Sequence, residues 1–500
     1  MWGRAPSPVQ AERSSAPLKT ALLLFLFLNC VYLATSTGRV RSIDEVDPVL
    51  QSESLLLHGT TAIPQAESSG IWFGKRDRNG IPRSAWPFGH GFLVLPWSAL
   101  GHFVLAKLPG IPPMISDLAI TTAICWSNAT FAALAAAACF LLFVKMGLRV
   151  RDSLVCSLVL AFCTPLFVYS AWLFSEPVST AIFAVAALLL FGWENCSSRR
   201  VIAAALLLAF SIHVRPANGL IVAIFVAAAI VQEPQERADG LPYRTTSILV
   251  VAVAISGLLY LLRNYELFGN PLDFGVPTTA ENGKDLDSWH NPFWRGLFGF
   301  LFSPGKSAFL FSPPILLGMA GISRLWKQNR ALGVVCVVAP ISSLILYSFR
   351  TQWEGSYCYG PRYLLPGLTL LVLPMAAMFR DPPRWFRPAF WLTAVAGLLI
   401  QAIGLSTNIM EDMVKNHYYV GNWDYRMTYS PISGQVRLIW KYLHQSPTAL
   451  GLGWDRWFLF LHQGGANWAL VGAIEALFVA CAAVFGWLTW RSVNATAAAG

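Results

Sequence analysis

Three carboxylates lie close together near the N-terminus, at Asp44, Glu45 and Asp47, directly after a long apolar stretch. Acids beside the low-dielectric core of a membrane are costly unless they are paired or bind a metal. One of them could act as a general base while another orients a partner or binds a divalent ion. The structural alternative is a helix N-terminus, where the helix dipole favours acids. The spacing alone leaves open which of the three is the base.

A further acid, Glu176, stands in Ser175-Glu176-Pro177, where one apolar run ends and the next begins. An acid in the first turn with proline beside it is a common start of a helix. The same position would turn the carboxylate toward the outer face. Asp44 and Glu176 are therefore the predicted metal ligands.

A loop rich in aromatic residues and glycine precedes Arg362, which follows Gly360-Pro361. A guanidinium group suits a phosphate, and a helix N-terminus adds backbone donors. We therefore expect Arg362 to bind a phosphate. The aromatic residues beside it could stack on a sugar, and they are Trp353, Tyr357, Tyr359 and Tyr363. The alternative is an interfacial aromatic belt with a snorkelling arginine.

Two further cations, Arg215 and Lys306, fall at the outer ends of apolar runs. Arg215 stands in His213-Val214-Arg215-Pro216, and Lys306 follows Ser303-Pro304-Gly305. Each could bind a lipid phosphate or anchor the chain at the headgroups. The sequence does not choose between these roles.

The elements that must position these residues are membrane spans. Of the 500 residues, 55% are hydrophobic and only 12% are charged, whereas soluble domains carry about 25% charged residues. The apolar residues cluster in runs of roughly 17–25, the length that crosses a hydrocarbon core. Twelve spans are predicted, at 18–37, 117–144, 153–171, 175–192, 200–213, 217–232, 246–263, 307–323, 331–349, 363–379, 388–406 and 466–490. The predicted fold class is an all-α polytopic membrane protein.

Charge fixes the predicted topology. With the N-terminus inside and segment 88–108 treated as an interfacial amphipathic helix, the inner segments hold 17 Lys and Arg residues, whereas the short outer loops hold only Arg215, Arg350 and Arg362. Counting 88–108 as a span would reverse that bias. The net charge of +10 sits in short loops rather than in a stripe, so nucleic acid is not an expected partner. Three long segments then face outward, at 38–116, 264–306 and 407–465.

The predicted spans and their topology divide the chain into five parts. The predicted parts are a cytoplasmic N-terminus (1–17), a catalytic module (18–406, with a third outer loop at 350–362), a possible acceptor segment (407–465), a last span (466–490) and a cytoplasmic tail (491–500). Span 18–37 is expected to remain as an anchor, with a cleaved signal peptide as the alternative. No CxxC pair occurs, so the cysteines indicate neither a zinc site nor a disulfide framework.

The order of these features resembles the GT-C glycosyltransferases, polytopic enzymes that use sugars carried on polyprenyl phosphate. Asp44-Glu45, followed by the apolar segment 88–108, resembles their first outer loop. Ser175-Glu176-Pro177 falls where these enzymes often carry a second outer-loop acid. Segments 301–306 and 353–364 look like blocks of the bacterial members. The branch includes protein O-mannosyltransferases, aminoarabinose transferases of lipid A and the RgtA/B/C/D-like family, and the likeness covers most of residues 18–380.

The resemblance implies an inverting transfer of a sugar from a polyprenyl-phosphate-linked donor to an unknown hydroxyl acceptor. Asp44, with Glu45 beside it, would activate that hydroxyl, although Asp47 keeps the choice of base open. Arg362, and with it Arg215 and Lys306, would bind the departing phosphate. Some members use a divalent cation, so Mg, Mn or Zn is a candidate cofactor. The expected place is a bacterial inner membrane, among its lipids, with the site facing the periplasm.

Two other functions compete with this interpretation. A transporter or a flippase for lipid-linked sugars would carry polar residues at the middle of broken spans, often in two matching halves. Here the predicted spans are almost free of charge and no halves match. A non-catalytic scaffold would require neither Asp44 nor Arg362.

Overall fold

The computed structural model describes residues 8–70, 72–192, 197–232, 243–276, 289–416, 423–444 and 453–498. Parts of the predicted segments 1–17, 264–306, 407–465 and 491–500 lie outside the described residues. The first helices are α1 (Pro8–Thr35), α2 (Ile43–His58), α3 (Ala66–Ser69), α4 (Gly89–Leu93), α5 (Leu95–Phe103), α6 (Ser116–Cys125), α7 (Ser127–Lys145), α8 (Val150–Phe162), α9 (Leu166–Tyr169), α10 (Ser175–Phe191), α11 (Ser198–Val214) and α12 (Asn218–Gln232).

The remaining helices follow in the second half of the chain. They are α13 (Arg244–Phe268), α14 (Phe293–Phe302), α15 (Ala308–Phe311), α16 (Ile315–Gln328), α17 (Arg330–Ser348), α18 (Leu365–Val372), α19 (Phe386–Ser406), α20 (Ile409–Lys415), α21 (Pro431–His444), α22 (Trp457–Gln463) and α23 (Trp468–Ala498). Short 3-10 helices cover Leu105–Lys107, Pro113–Ile115, Arg362–Leu364, Leu373–Met378, Trp423–Tyr425 and Met427–Tyr429. One antiparallel hairpin pairs β1 (Gly74–Arg76) with β2 (Pro82–Ser84).

Helices long and apolar enough to cross a membrane number six among the described residues. They are Ala16–Thr35, Pro113–Lys145, Arg244–Phe268, Arg330–Ser348, Phe386–Ser406 and Trp468–Thr496. Shorter apolar helices also occur, such as Ser175–Phe191 and Asn218–Gln232. The all-α class is thus confirmed, and the chain is a multi-pass membrane protein. Every predicted span contains helical residues, but the count of twelve stays a prediction.

Segment 88–108 forms broken helix rather than a span. It contains α4, α5 and the 3-10 turn Leu105–Lys107, and its longest piece, α5, has nine residues. A spanning helix needs about 20 residues. Pro96 occupies the first turn of α5, where its missing N–H costs nothing. These short helices pack against α2 and α6, and their position at the membrane interface stays a prediction.

Alanine-rich packing holds the helices around the outer loops. Helix α7 packs against both α1 and α10. Its residues Ala132, Ala135 and Ala136 are fully buried. Small side chains let apolar helices approach closely. The resulting van der Waals packing stabilises helix association within a membrane, where the hydrophobic effect does not. The ends of these helices therefore form a fixed frame for the loops between them.

A clasp joins the first outer loop to the last one, and we define it by Ser36, Arg39, Arg41, Asp455 and Trp457. Arg39 Nε and Arg41 Nη2 donate to the two oxygens of Asp455, at 2.8 and 2.5 Å. The Trp457 N–H donates to the carbonyl of Ser36 at 3.0 Å. The two guanidinium groups hold the pKa of the buried Asp455 carboxyl below its usual range. The clasp fixes the chain directly before α2.

Candidate active site

Four of the predicted site residues meet in one small cavity, here called the Asp44 cavity. It lies between the start of α2, the start of α10 and the 3-10 turn that begins at Arg362. Its lining consists of Asp44, Pro48, Gln51, Trp86, His90, Phe174, Ser175, Glu176, Val214, Arg215 and Arg362. Asp44, Glu176, Arg215 and Arg362 come from distant parts of the sequence and are brought together by the fold.

A chain of alternating charges links these four residues. Arg362 Nη1 lies 2.7 Å from Asp44 Oδ2, and Arg362 Nε lies 3.6 Å from Glu176 Oε1. Arg215 Nη1 donates to the same Glu176 oxygen at 2.5 Å. The Asp44 side chain is 22% exposed, whereas those of Glu176 and Arg362 are 3% and 5% exposed. Asp44 is therefore the carboxylate of this group that an incoming molecule can reach.

One aromatic ring, that of Tyr363, contacts three arginines beside the cavity. Tyr363 stacks on Tyr347 with a centroid distance of 4.6 Å and an interplanar angle of 15°. The guanidinium carbons of Arg215, Arg350 and Arg362 lie 4.9, 5.0 and 4.8 Å from the Tyr363 centroid. Cation–π contacts of this kind are strengthened where water is excluded. Tyr363 thus holds three positive groups beside the cavity.

A larger cavity of about 560 Å³ adjoins the Asp44 cavity, because both are lined by Trp86 and Arg215. We call it the aromatic cavity. The rest of its lining is Phe73, Lys75, Ala85, Pro216, Ala217, Asn270, Leu272, Asp273, Phe274, Val276, Trp289, Tyr347 and Arg350. Its volume lies within the range of small-molecule sites, and a mainly apolar wall with a few charged groups is typical of them.

Glu45 points away from the Asp44 cavity. Its carboxylate is fully buried and accepts hydrogen bonds from the backbone N–H groups of Arg41 at 2.7 Å and Leu173 at 2.9 Å. It also accepts the Ser42 N–H, which completes a capping box at the start of α2. Burial raises the pKa of Glu45 above its usual value. Glu45 holds α2 in place, so it is placed to position Asp44 rather than to react.

Asp47 also faces the protein interior. Its oxygens accept the hydroxyl of Ser84 and the backbone N–H of Phe73, which ties α2 to the hairpin. Burial raises the pKa of Asp47 to about 7. Of the three clustered acids, only Asp44 lines the cavity.

Asp47 gives a pH-dependent prediction. The folded protein favours the neutral form of Asp47, whose pKa is higher in the folded than in the unfolded chain. The contribution of Asp47 to the free energy of unfolding is therefore complete below about pH 4 and is lost as the pH rises through 7. In Asp47→Asn, which is neutral throughout, we expect the melting temperature in detergent to fall less between pH 5 and 8 than in the wild type, by a few °C. Thermal unfolding at several pH values measures this. An identical pH profile of the variant would contradict it.

Lys306 lies elsewhere. It is fully buried, and its Nζ donates to the backbone carbonyls of Cys358 at 2.9 Å and Ser356 at 3.3 Å. Gly355 and Ser356 have positive φ values of 75° and 60°, and Ser356 is strained there because it has a side chain. Lys306 therefore supports the turn that leads to Arg362. The structure does not bring it to the Asp44 cavity.

The other predicted sugar-binding aromatics are also outside the cavity lining. Trp353 is buried and packs edge-on against Phe300 at 5.2 Å. The Tyr359 hydroxyl donates to the carbonyl of Ile400 at 2.6 Å. Tyr357, half-buried, lines neither cavity. Tyr363 does not line either cavity, but its ring contacts the cavity arginines Arg215 and Arg362.

Sequence reasoning missed several lining residues, including Gln51, Trp86, His90 and Arg350. His90 is 5% exposed, its Nε2 has no hydrogen-bond partner among the described residues, and burial lowers its pKa to about 4. It is therefore neutral near pH 7. Its signal in the sequence was a histidine inside an apolar segment, which by itself also fits an interfacial helix.

The predicted metal ligands, Asp44 and Glu176, share the cavity, but Arg362 lies between them and pairs with both. Within the part of the chain that the structure describes, no group of three His, Cys, Asp or Glu side chains could hold a metal ion. Two carboxylates already matched by guanidinium groups fit a divalent ion poorly. The metal stays a prediction, which removal of divalent ions can test.

No family model matches the chain, and none of the curated proteins matches it. Two similar solved structures are both of ArnT from Cupriavidus metallidurans. The structure bound to undecaprenyl phosphate is 14% identical with a TM-score of 0.44, over 95% of this chain and 75% of that chain. The apo structure is 13% identical with a TM-score of 0.47, over 97% and 76%. A likeness at this level concerns the course of the helices and assigns no residue a role.

Proposed function

We propose that the protein is an inverting glycosyltransferase that moves a sugar from a polyprenyl-phosphate-linked donor to a hydroxyl acceptor. The observation that carries this proposal is the position of Asp44. It is the accessible acid of a cavity that also contains two arginines, and that cavity opens beside a larger aromatic one. A base, a phosphate site and an apolar site are thus adjacent.

The phosphate of the donor would bind to the arginines. Arg215 and Arg362 both approach the same oxygen of Glu176, so their guanidinium groups converge on one point. Arg350 faces the same tyrosine ring. Arginine forms paired hydrogen bonds to phosphate oxygens, and fixed positive groups stabilise the charge that develops on a leaving phosphate.

The aromatic cavity would take the first isoprene units of the donor. Phe73, Phe274 and Trp289 supply apolar wall, while Lys75, Arg215 and Arg350 supply positive charge. A lipid-linked phosphate needs both surfaces side by side. Across the two cavities, the lining holds four cations, Lys75 among them, and three carboxylates, so the site favours an anion.

Asp44 would act as the base. Its carboxylate takes the proton of the acceptor hydroxyl while that oxygen forms a bond to the anomeric carbon. The bond between the anomeric carbon and the phosphate oxygen breaks, and polyprenyl phosphate leaves with the electron pair. Attack opposite the leaving group inverts the anomeric centre. Since the donor phosphate competes with Asp44 for Arg362, donor binding would release the base for its reaction.

The proposal also includes the side of the membrane on which transfer occurs and the segment that meets the acceptor. With the predicted topology, the Asp44 cavity faces outward, which in a bacterial inner membrane is the periplasm. The segment 407–465 would meet the acceptor. Its described parts contact the loop of Lys306, as Ser430 Oγ donates to the carbonyl of Pro304 at 2.7 Å. Asp455, in the same segment, holds the chain before α2 through the clasp.

A donor panel tests the proposed function. The purified protein is incubated with radiolabelled polyprenyl-phosphate sugars and a membrane extract as acceptor source, with and without EDTA. We expect one donor to release polyprenyl phosphate in step with labelled product, whose anomeric configuration is inverted by NMR. If no donor is consumed, the transferase proposal fails. Movement of a lipid-linked sugar across liposomes without product would then identify a flippase.

A further inference from the structure

A third cavity, of about 880 Å³, lies at the opposite end of the helix bundle from the Asp44 cavity. It is formed where α8 and α19 begin. Helix α19 runs 21 residues, or about 31 Å, from this cavity to Ser406, whose carbonyl accepts the N–H of Asp455 in the clasp. We call it the arginine cavity.

Positive charge dominates the arginine cavity. Its lining includes Arg149, Arg151, Arg380 and Arg387, against the single acid Asp152. All four arginines are exposed, and none forms an ion pair with a carboxylate among the described residues. Since the four cations exceed the one acid, the cavity attracts an anion.

Two helix N-termini add to this charge. Arg149 and Trp385 are the N-cap residues of α8 and α19, and neither side chain caps its helix. The first backbone N–H groups of α8 are available to an anion, whereas at α19 the Phe386 N–H donates to the carbonyl of Pro383 and Pro388 has no N–H. The dipole of each helix also favours an anion. Charged side chains and backbone donors therefore converge on one space.

An exposed apolar face of α19 leads away from the arginine cavity. On α19, Trp391, Val395 and Leu398 share one face and are 60%, 54% and 45% exposed. Helix α8 contacts both α19 and α23, and its half-buried Val155 lines the arginine cavity together with Trp391. A soluble phosphate would not contact this apolar face, whereas the acyl chains of a lipid would lie against it.

We propose that the arginine cavity binds the phosphate of an anionic phospholipid, whose acyl chains lie along α19. Basic pockets between membrane helices are suited to such headgroups. The cavity volume is in the range of a specific ligand site. This site is separate from the proposed donor site and does not depend on the proposed function.

Lipid binding to a charge-matched pair of double variants tests the proposal. The delipidated protein is titrated with phosphatidylglycerol, phosphatidylcholine or inorganic phosphate, and bound lipid is counted by native mass spectrometry. We expect Arg149→Gln/Arg387→Gln to bind phosphatidylglycerol at least about tenfold more weakly than the wild type, because two charge-assisted contacts are lost. Arg199→Gln/Arg330→Gln removes the same charge from exposed residues outside the cavity and should retain wild-type affinity.

The alternatives give distinct results. Equal affinity of the two double variants would overturn the site, and equal affinity for phosphatidylcholine would overturn the preference for an anion. Binding of phosphatidylglycerol that inorganic phosphate displaces at equal concentration would show a phosphate site without a lipid preference, against the proposal. Since neither Arg149 nor Arg387 forms a side-chain hydrogen bond among the described residues, the unfolding temperature of the lipid-free variant should match the wild type.

Discussion

Sugar transfer by Asp44→Asn is expected to be about 10²–10⁴-fold slower than by the wild type, while donor binding is kept or becomes tighter, because the carboxylate that competes for Arg362 is gone. General base catalysis contributes a factor of this size. An asparagine amide fills the same space but cannot take the proton of the acceptor hydroxyl. Glu176 still faces the Arg362 guanidinium at 3.6 Å, so the phosphate site keeps one carboxylate partner. The rate of product formation at saturating donor measures the effect.

A matched control separates this effect from a general loss of charge. Glu67→Gln removes one carboxylate from the same outer loop, where Glu67 is 51% exposed and pairs with the exposed Arg76. Surface pairs of this kind contribute little, so the control should transfer sugar normally. Asp47→Asn should also retain its rate within a few-fold. A slow Asp47→Asn beside a normal Asp44→Asn would move the base to Asp47.

The second large effect is expected for Arg362→Gln, which should weaken donor binding by at least about thirtyfold. Removing one member of a buried, hydrogen-bonded charge pair costs about 2–5 kcal/mol. Arg362 is 5% exposed, pairs with Asp44 at 2.7 Å and contacts Glu176 at 3.6 Å. Without it, two neighbouring carboxylates remain beside the incoming phosphate and repel it. Competition between labelled donor and unlabelled polyprenyl phosphate measures the affinity.

Stability must be measured with the Arg362 variant, because a buried pair that loses one partner also destabilises the fold. Arg362→Lys keeps the charge and should retain part of the binding, since lysine cannot pair with two oxygens in a plane. Arg76→Gln is the exposed counterpart and should bind donor normally. Donor affinity equal to the wild type in a folded Arg362→Gln would remove Arg362 from the phosphate site.

The sequence contained more information on the acidic cluster than its spacing suggests. Ser42 and Glu45 have the separation of a capping box, in which the glutamate reaches back to the helix start. Neighbouring helical residues point about 100° apart, so a Glu45 turned inward leaves Asp44 on another face. That pattern predicts the different roles of the two acids. Their burial, however, depends on Leu173, which no local pattern connects to α2.

The positions of Arg215 and Lys306 in the fold could not be predicted from their neighbours in the sequence. Arg215 and Lys306 both stand at the outer ends of apolar runs, and their surroundings in the sequence are equally suggestive. The fold turns Arg215 toward Glu176 and Lys306 toward the backbone of Cys358. That difference arises from contacts between distant loops. Arg350 and His90 were missed for the same reason, since each became part of the site only through packing between helices.

The clasp has a consequence for the order in which the protein is made. Arg39 and Asp455 are separated by 416 positions, and α1 packs along α23, the last described helix. At ribosomal speeds of about 5–20 residues per second, the N-terminal loop waits on the order of 20–80 s for its partner. Until then, Arg39 and Arg41 lack the Asp455 carboxylate. A nascent chain that ends between Arg362 and Asp455 therefore carries Asp44, Glu176, Arg215 and Arg362 but lacks the contact that fixes the chain before α2.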